Sequence, residues 1–155
     1  MKGKYTYVEN EVPALKFSEY VVGQRYETKS IKLSKTDIVE FAKIYDPQYM
    51  HLDEEKAKKG RFGSLIASGM QTMNISFKLW IEVGVYGENV VAGTGMNHIQ
   101  FIKPVFPDDE LHVIAEVIEL LPRRRGNGIV TVLLTTYNQN HQKVFQAELS
   151  ALIDN

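Results

Sequence analysis

Apolar and polar positions run in two rhythms along the chain, helical in the first half and strand-like in the second. Ser34-Lys35-Thr36-Asp37 has the form of a helix start, a Ser cap with an acid three residues on. Ile38, Phe41 and Ala42 follow at i, i+3, i+4. Pro47 disfavours the α region at the residue before it, so this helix is expected to end near Tyr45. Asp46 to Leu52 is expected to be a loop. Asp53-Glu54-Glu55 reads as the cap and acidic first turn of a short helix, with Lys56, Lys58 and Lys59 toward its end and Gly60 closing it. A second capping box, Ser68-Gly69-Met70-Gln71, opens the longest helical stretch. Met70, Met73, Phe77, Trp80 and Ile81 form one apolar face there, and Ile75 and Leu79 are apolar on others. A helix apolar nearly all round is a buried helix. Gly84 is its expected stop.

The second half changes period. Val90 to Val105 is rich in β-formers up to Pro104, then Leu111 to Leu121, Ile129 to Tyr137 and Val144 to Ile153 follow. In the last, Phe145, Ala147, Leu149 and Ala151 alternate with Gln146, Glu148 and Ser150. Arg123 to Gly128 and Asn138 to Gln142 are turn-like. Ahead of the helices, Arg25 to Leu33 alternates weakly and predicts one more strand, preceded by a head, Met1 to Glu19, expected to drape over the surface. A buried helix flanked by strands needs a sheet to cover it. The predicted class is α+β, an antiparallel sheet wrapped around a long central helix, in one domain over 1–155.

Composition narrows the function. With 44% hydrophobic and 24% charged residues the chain has the material for a core, which argues against disorder. A net charge of −1 argues against nucleic acid as a partner. The absence of cysteine excludes a disulfide framework, a thiol nucleophile and a thiolate metal site. No apolar run approaches the ~20 residues that span a bilayer. Met1 to Asn10 lacks the apolar segment of a signal peptide. The expectation is a soluble cytoplasmic protein with no membrane partner.

Two segments hold candidate chemistry. In Tyr45-Asp46-Pro47-Gln48-Tyr49-Met50-His51, an Asp and a His stand five positions apart in a short segment. A carboxylate and an imidazole held together can grip one water, one taking a proton and the other orienting or returning one. On spacing alone a bland reading also stands, in which Asp46 ends a helix and His51 packs on an apolar neighbour. The second segment is Gly63 to Gly69, a loop with several small residues that opens the long helix. First-turn amides lack intrahelical partners and sit at the positive end of the helix dipole, where a carbonyl oxygen is polarised as in an oxyanion hole. The alternative is that Gly69 only lets the helix start close to the sheet. Ala92-Gly93-Thr94-Gly95 lacks the spacing of a nucleotide loop, and His98, His112 and His141 lack metal-ligand spacing. Arg123-Arg124-Arg125 reads first as a solvated hairpin tip. The Met and aromatic stripe of the long helix reads as core first and acyl-tunnel lining second.

Together these segments resemble the MaoC-type dehydratase family, whose best known members are (R)-specific enoyl-CoA hydratases with a hotdog fold. The resemblance runs from Tyr20-Val21-Val22-Gly23-Gln24 to the C-terminus. It is strongest from Phe41-Ala42 through Asp46, His51, Asp53, Ala57 and Phe62-Gly63 to Ile66-Ala67-Ser68-Gly69. Phe101-Ile102-Lys103-Pro104-Val105 with Asp109-Glu110-Leu111 resembles a later family signature. The family motif reads Gly-Asp-x-Asn-Pro-aliphatic-His. The resemblance implies that Asp46 and His51 are the acid/base pair and that the Gly69 amide binds the thioester oxygen. It also implies an apolar tunnel, with Met70, Met73 and Phe77 as candidate acyl-pocket residues, no cofactor or metal, and a homodimer or dimer of dimers.

The sequence departs from the motif at Tyr45 in place of Gly, Gln48 in place of Asn and Tyr49 in place of Pro. Gln48 and Tyr49 are therefore expected to support the loop along an altered path. Some hydratases hold the Asp with a Ser on the central helix, and Phe77, after Ser76, falls on the matching position. The implied activity is reversible hydration of a 2-enoyl thioester to a 3-hydroxyacyl thioester. Two alternatives are a non-catalytic acyl-thioester binder and a hotdog thioesterase.

Overall fold

A computed structural model describes residues 12–155 and the backbone of Tyr5–Tyr7. The strands are β1 (Tyr5–Tyr7), β2 (Arg25–Glu27), β3 (Ile31–Lys32), β4 (Val90–Phe101), β5 (Glu110–Pro122), β6 (Gly128–Tyr137) and β7 (Lys143–Ile153). The helices are α1 (Lys35–Tyr45), α2 (Tyr49–Leu52), α3 (Glu54–Lys58) and α4 (Gly69–Glu82). The strands order as β1-β2-β5-β6-β7-β4, with β3 pairing β5 at the side. Every pair is antiparallel except β1 with β2, which is parallel. Long hairpins give β5, β6 and β7 their registers, such as Val117 opposite Val132 and Val132 opposite Leu149. One face of these strands is buried along its length and holds α4, which makes this a hotdog fold.

Local signals set the helix ends. Ser34 accepts the Asp37 amide hydrogen bond and Asp37 reaches back to the Ser34 amide, the reciprocal box expected of this segment. Asp46, just before Pro47, leaves the helix at φ −151° and ψ 71°. Asp53 caps α3 by accepting from the Lys56 amide. Gly84 follows the end of α4 at φ +90°, a conformation open to glycine.

Five expectations need correction. The strand predicted over Arg25 to Leu33 is broken in two, because Thr28 turns its hydroxyl to accept the Val113 amide, a bond the ladder would otherwise make. The expected loop Asp46 to Leu52 contains one helical turn, α2. In the head, Phe17 is buried in the core and Val12 and Leu15 pack against it, rather than lying over the surface. The remaining head expectations, including the missing signal peptide, fall largely on residues 1–4 and 8–11, outside the described residues. Fourth, the apolar face expected of α4 is buried only in part, at Trp80 and, against a core cluster, Met73. Met70, Phe77 and Ile81 are exposed, whereas Thr72, Ser76, Leu79 and Trp80 are buried. Small polar residues let the helix sit close to β6, and Ser76 and Thr136 meet at 2.6 Å with both side chains fully buried. Trp80 fills the centre, tilted against Tyr26 and edge-on to Tyr86. The second box is also incomplete. Ser68 accepts from the Met70 amide, but Gln71 donates across to the Asp37 carbonyl instead of folding back.

Candidate active site

The site forms where the C-terminus of α1 meets the N-terminus of α4. Asp46 ends α1, and Pro47 with the extended Gln48 turns the chain so that α2 presents His51 back toward it. His51 Nε2 lies 3.2 Å from Asp46 Oδ2, and the His51 and Asp46 side chains are 7% and 17% exposed. The other ring nitrogen, Nδ1, lies 2.6 Å from the Ile66 carbonyl oxygen. A carbonyl only accepts, so Nδ1 carries a hydrogen and donates it there. Nε2 is then the ring atom whose proton can come and go, and it faces the carboxylate. The bland reading of His51 as an imidazole merely packed on an apolar neighbour does not describe this geometry.

Asp46 is held from three sides. Ser68 donates to Oδ2 at 2.6 Å, Gln48 Nε2 donates to Oδ1 at 2.7 Å, and His51 faces Oδ2. Burial pushes the Asp46 carboxyl up, but the Ser68 and Gln48 hydrogen bonds and the charge of protonated His51 outweigh it and hold the group below the ordinary carboxylate value. The carboxylate is thus kept ionised, the state in which it can take a proton.

Both groups open into a cleft of about 490 Å³ that includes Ser68, Gly69 and Met70 at the head of α4. Its walls are mainly apolar, with Phe62, Phe101, Ile102 and Val105 among them, and Lys103 is the lining cation. Gly69 is the first residue of a 14-residue helix, and its N–H has no acceptor among the described residues. A Cβ at Gly69 would stand 2.7 Å from the Phe101 ring. Glycine therefore permits the close approach of α4 to β4 and leaves this part of the cleft open.

The sequence-derived candidates are not all together. Asp46, His51, Gly69, Gln48 and Met70 line the cleft. Met73 does not; it packs against a second core cluster around Ile38 and Phe145. Phe77 is exposed on α4, away from the cleft lining, and Tyr49 is half exposed on α2. The residue that holds Asp46 is not at position 77. Ser76 spends its hydroxyl on the Thr72 carbonyl and on Thr136, and the hydroxyl reaching Asp46 is that of Ser68. Sequence reasoning identified Ser68 as a cap and missed this second partner. The Ile66 carbonyl was likewise missed, although it lies in the loop already singled out. No group of three or more His, Asp or Glu side chains converges as a metal site among the described residues.

Comparison with known proteins agrees with this architecture. Residues 17–138 match the family model described as a MaoC like domain. The chain is similar to YdeM of Bacillus subtilis, described as uncharacterised, at 61% identity over 90% of this chain and 99% of that one. It is 34% identical to a 3-hydroxybutyryl-CoA dehydratase of Methylorubrum extorquens, over 74% of this chain and 71% of that one. The crystal structure of the MaoC-like dehydratase of Rhodospirillum rubrum superposes with a TM-score of 0.84 at 31% identity, covering 92% of this chain and 98% of that one. A sheet closed over α4, a His–Asp pair at the head of that helix and a family model spanning most of the sequence agree, and the chain belongs to the MaoC-like hydratase/dehydratase family.

Proposed function

We propose that this protein catalyses the reversible addition of water to a 2-enoyl thioester, giving a 3-hydroxyacyl thioester. The observation that carries the reading is the buried Asp46–His51 pair opening into an apolar cleft at the N-terminus of α4. The thioester carbonyl binds at the Gly69 amide, where developing enolate charge is stabilised by the unpaired N–H and the helix dipole. Water sits against the pair. Asp46 takes one of its protons as the oxygen bonds to C3, and His51 Nε2 delivers a proton to C2. Asp46 then returns its proton to solvent water and His51 Nε2 takes one from it, which restores the starting state.

A second copy of the chain is the proposed partner. β4 is exposed along nearly its whole length and, among the described residues, pairs only with β7, which leaves its other edge open there. Val91, Ile99 and Phe101 on β4 continue, through the Gly69–Phe101 approach, onto exposed Met70, Phe77 and Ile81 of α4. An open apolar edge of this length calls for a cover. No helix among the described residues is long and apolar enough to cross a membrane.

The test is turnover on short and medium 2-enoyl-CoAs, followed by loss of conjugated-thioester absorbance, with product mass and free thiol measured in parallel. Wild type should yield a water-added product. Asp46→Asn and His51→Ala should each lose at least about 100-fold in kcat. Full turnover by both variants would remove these residues from the mechanism. Free thiol without a 3-hydroxyacyl product would point to a thioesterase, and tight binding without turnover to a binding module.

A further inference from the structure

We infer that Ser68 is a positioning residue that joins the N-cap of α4 to the carboxylate of Asp46 and reserves Asp46 Oδ1 for proton transfer. The inference rests on the proposed role of Asp46 and extends it to a residue outside the acid/base pair. Ser68 is fully buried. Its Oγ is 3.2 Å from the Met70 amide nitrogen, which can only donate, and 2.6 Å from Asp46 Oδ2. The single hydroxyl hydrogen is therefore committed to the carboxylate. A proton on Oδ2 would leave the Ser68 O–H facing a donor in a fully buried position, which is costly. Oδ1 has no such obstacle. Its partner is the amide of Gln48, an exposed side chain that can turn its oxygen to accept. One oxygen is thus tied to the framework and the other is left to exchange protons with water.

The same contact explains how the site tolerates a phenylalanine on α4 at position 77. Phe77 points to the surface and offers no hydroxyl, while Ser68, at the head of the same helix, supplies the hydrogen bond. Among the described residues, the charged groups that line the cleft with Asp46 are His51 on α2 and Lys103 beyond β4, and removing the Ser68 donor leaves both in place.

The experiment compares wild type with Ser68→Gly and Ser68→Thr. Glycine is tolerated at an N-cap with little loss of helix stability, so Ser68→Gly removes the hydroxyl with a small effect on the cap. Thr keeps the hydroxyl. Asp46 is titrated directly by carbon-13 NMR of its side-chain carboxyl, with thermal unfolding as the check on folding. Hydratase kinetics are measured against pH. In Ser68→Gly the carboxyl midpoint should move to higher pH, the acid limb of kcat/KM should follow, and kcat should fall by about 10- to 100-fold with KM little changed. Ser68→Thr should stay close to wild type in both readouts. An unmoved carboxyl midpoint in folded Ser68→Gly overturns the inference, as does a midpoint in Ser68→Thr that shifts like the glycine variant's. A midpoint that moves in a protein whose wild type turns over no enoyl thioester upholds Ser68 and overturns the proposed reaction instead.

Discussion

The contact between Gly69 and Phe101 allows the cleft to be tested without touching an acid or a base. Gly69 does not have a positive φ, so alanine meets no backbone penalty there. Its methyl would lie 2.7 and 2.8 Å from two Phe101 ring carbons and 3.1 Å from a third. Carbon atoms rest about 3.5–4.0 Å apart, so the ring must retreat by roughly 1 Å. It cannot retreat inward, because the fully buried Phe145 ring stands behind it at a centroid distance of 5.9 Å. Phe101 is 56% exposed, so it swings toward the cleft and solvent. An overpacked core site typically loses about 1–3 kcal/mol, and an exposed ring free to swing belongs at the low end. Function should suffer more than the fold. A 1 Å displacement of a positioning surface typically lowers rate by about 100-fold, equivalent to about 2.7 kcal/mol of barrier. Gly69→Ala should therefore melt within a few degrees of wild type yet lose about 100-fold in kcat/KM on a short 2-enoyl-CoA. In a Phe101→Ala background, where the obstructing ring is gone, the same substitution should cost clearly less, because the two effects share one contact. A folded Gly69→Ala enzyme with wild-type kcat/KM would refute the placement of the thioester carbonyl at this helix terminus.

Two further outcomes follow from other contacts. Ser76 must donate to the Thr72 carbonyl, so Thr136 donates to Ser76, and both hydroxyls are fully buried. Ser76→Ala should then destabilise by about 1–3 kcal/mol by orphaning the Thr136 donor, and Thr136→Val by about 1 kcal/mol or less; urea denaturation reads the order, and its reversal would contradict the assigned direction of the bond. Val91→Lys places a charge on the open β4 edge and should convert a dimer to a monomer in light scattering, whereas a monomeric wild type would remove the proposed partner.

Features whose causes lie within a few residues were legible in the chain alone. The reciprocal Ser34–Asp37 box and Pro47 bound α1, and alternating side chains mark the core face of β7. Asp46 and His51 were legible as a pair because one proline-led turn separates them, too short to send them far apart. What each of these local pieces met depended on the packing of distant segments. Ser68 reads in sequence as a cap, and only the crossing of α1 and α4 brings its hydroxyl to a carboxylate 22 positions away. Of the stripe Met70, Met73, Phe77, Trp80 and Ile81, α4 buries Trp80 but leaves Met70, Phe77 and Ile81 exposed, and it buries Thr72 and Ser76 beside Trp80. Hydrophobic periodicity records which side chains tolerate burial, but burial itself is decided by the neighbour that arrives. Here that neighbour is β6, where the hydroxyl of Thr136 meets Ser76 and favours a close, partly polar contact. Local signals act through chain geometry that is the same in every protein, whereas a contact between distant residues exists only after the sheet has closed over the helix and fixed which atoms share a space.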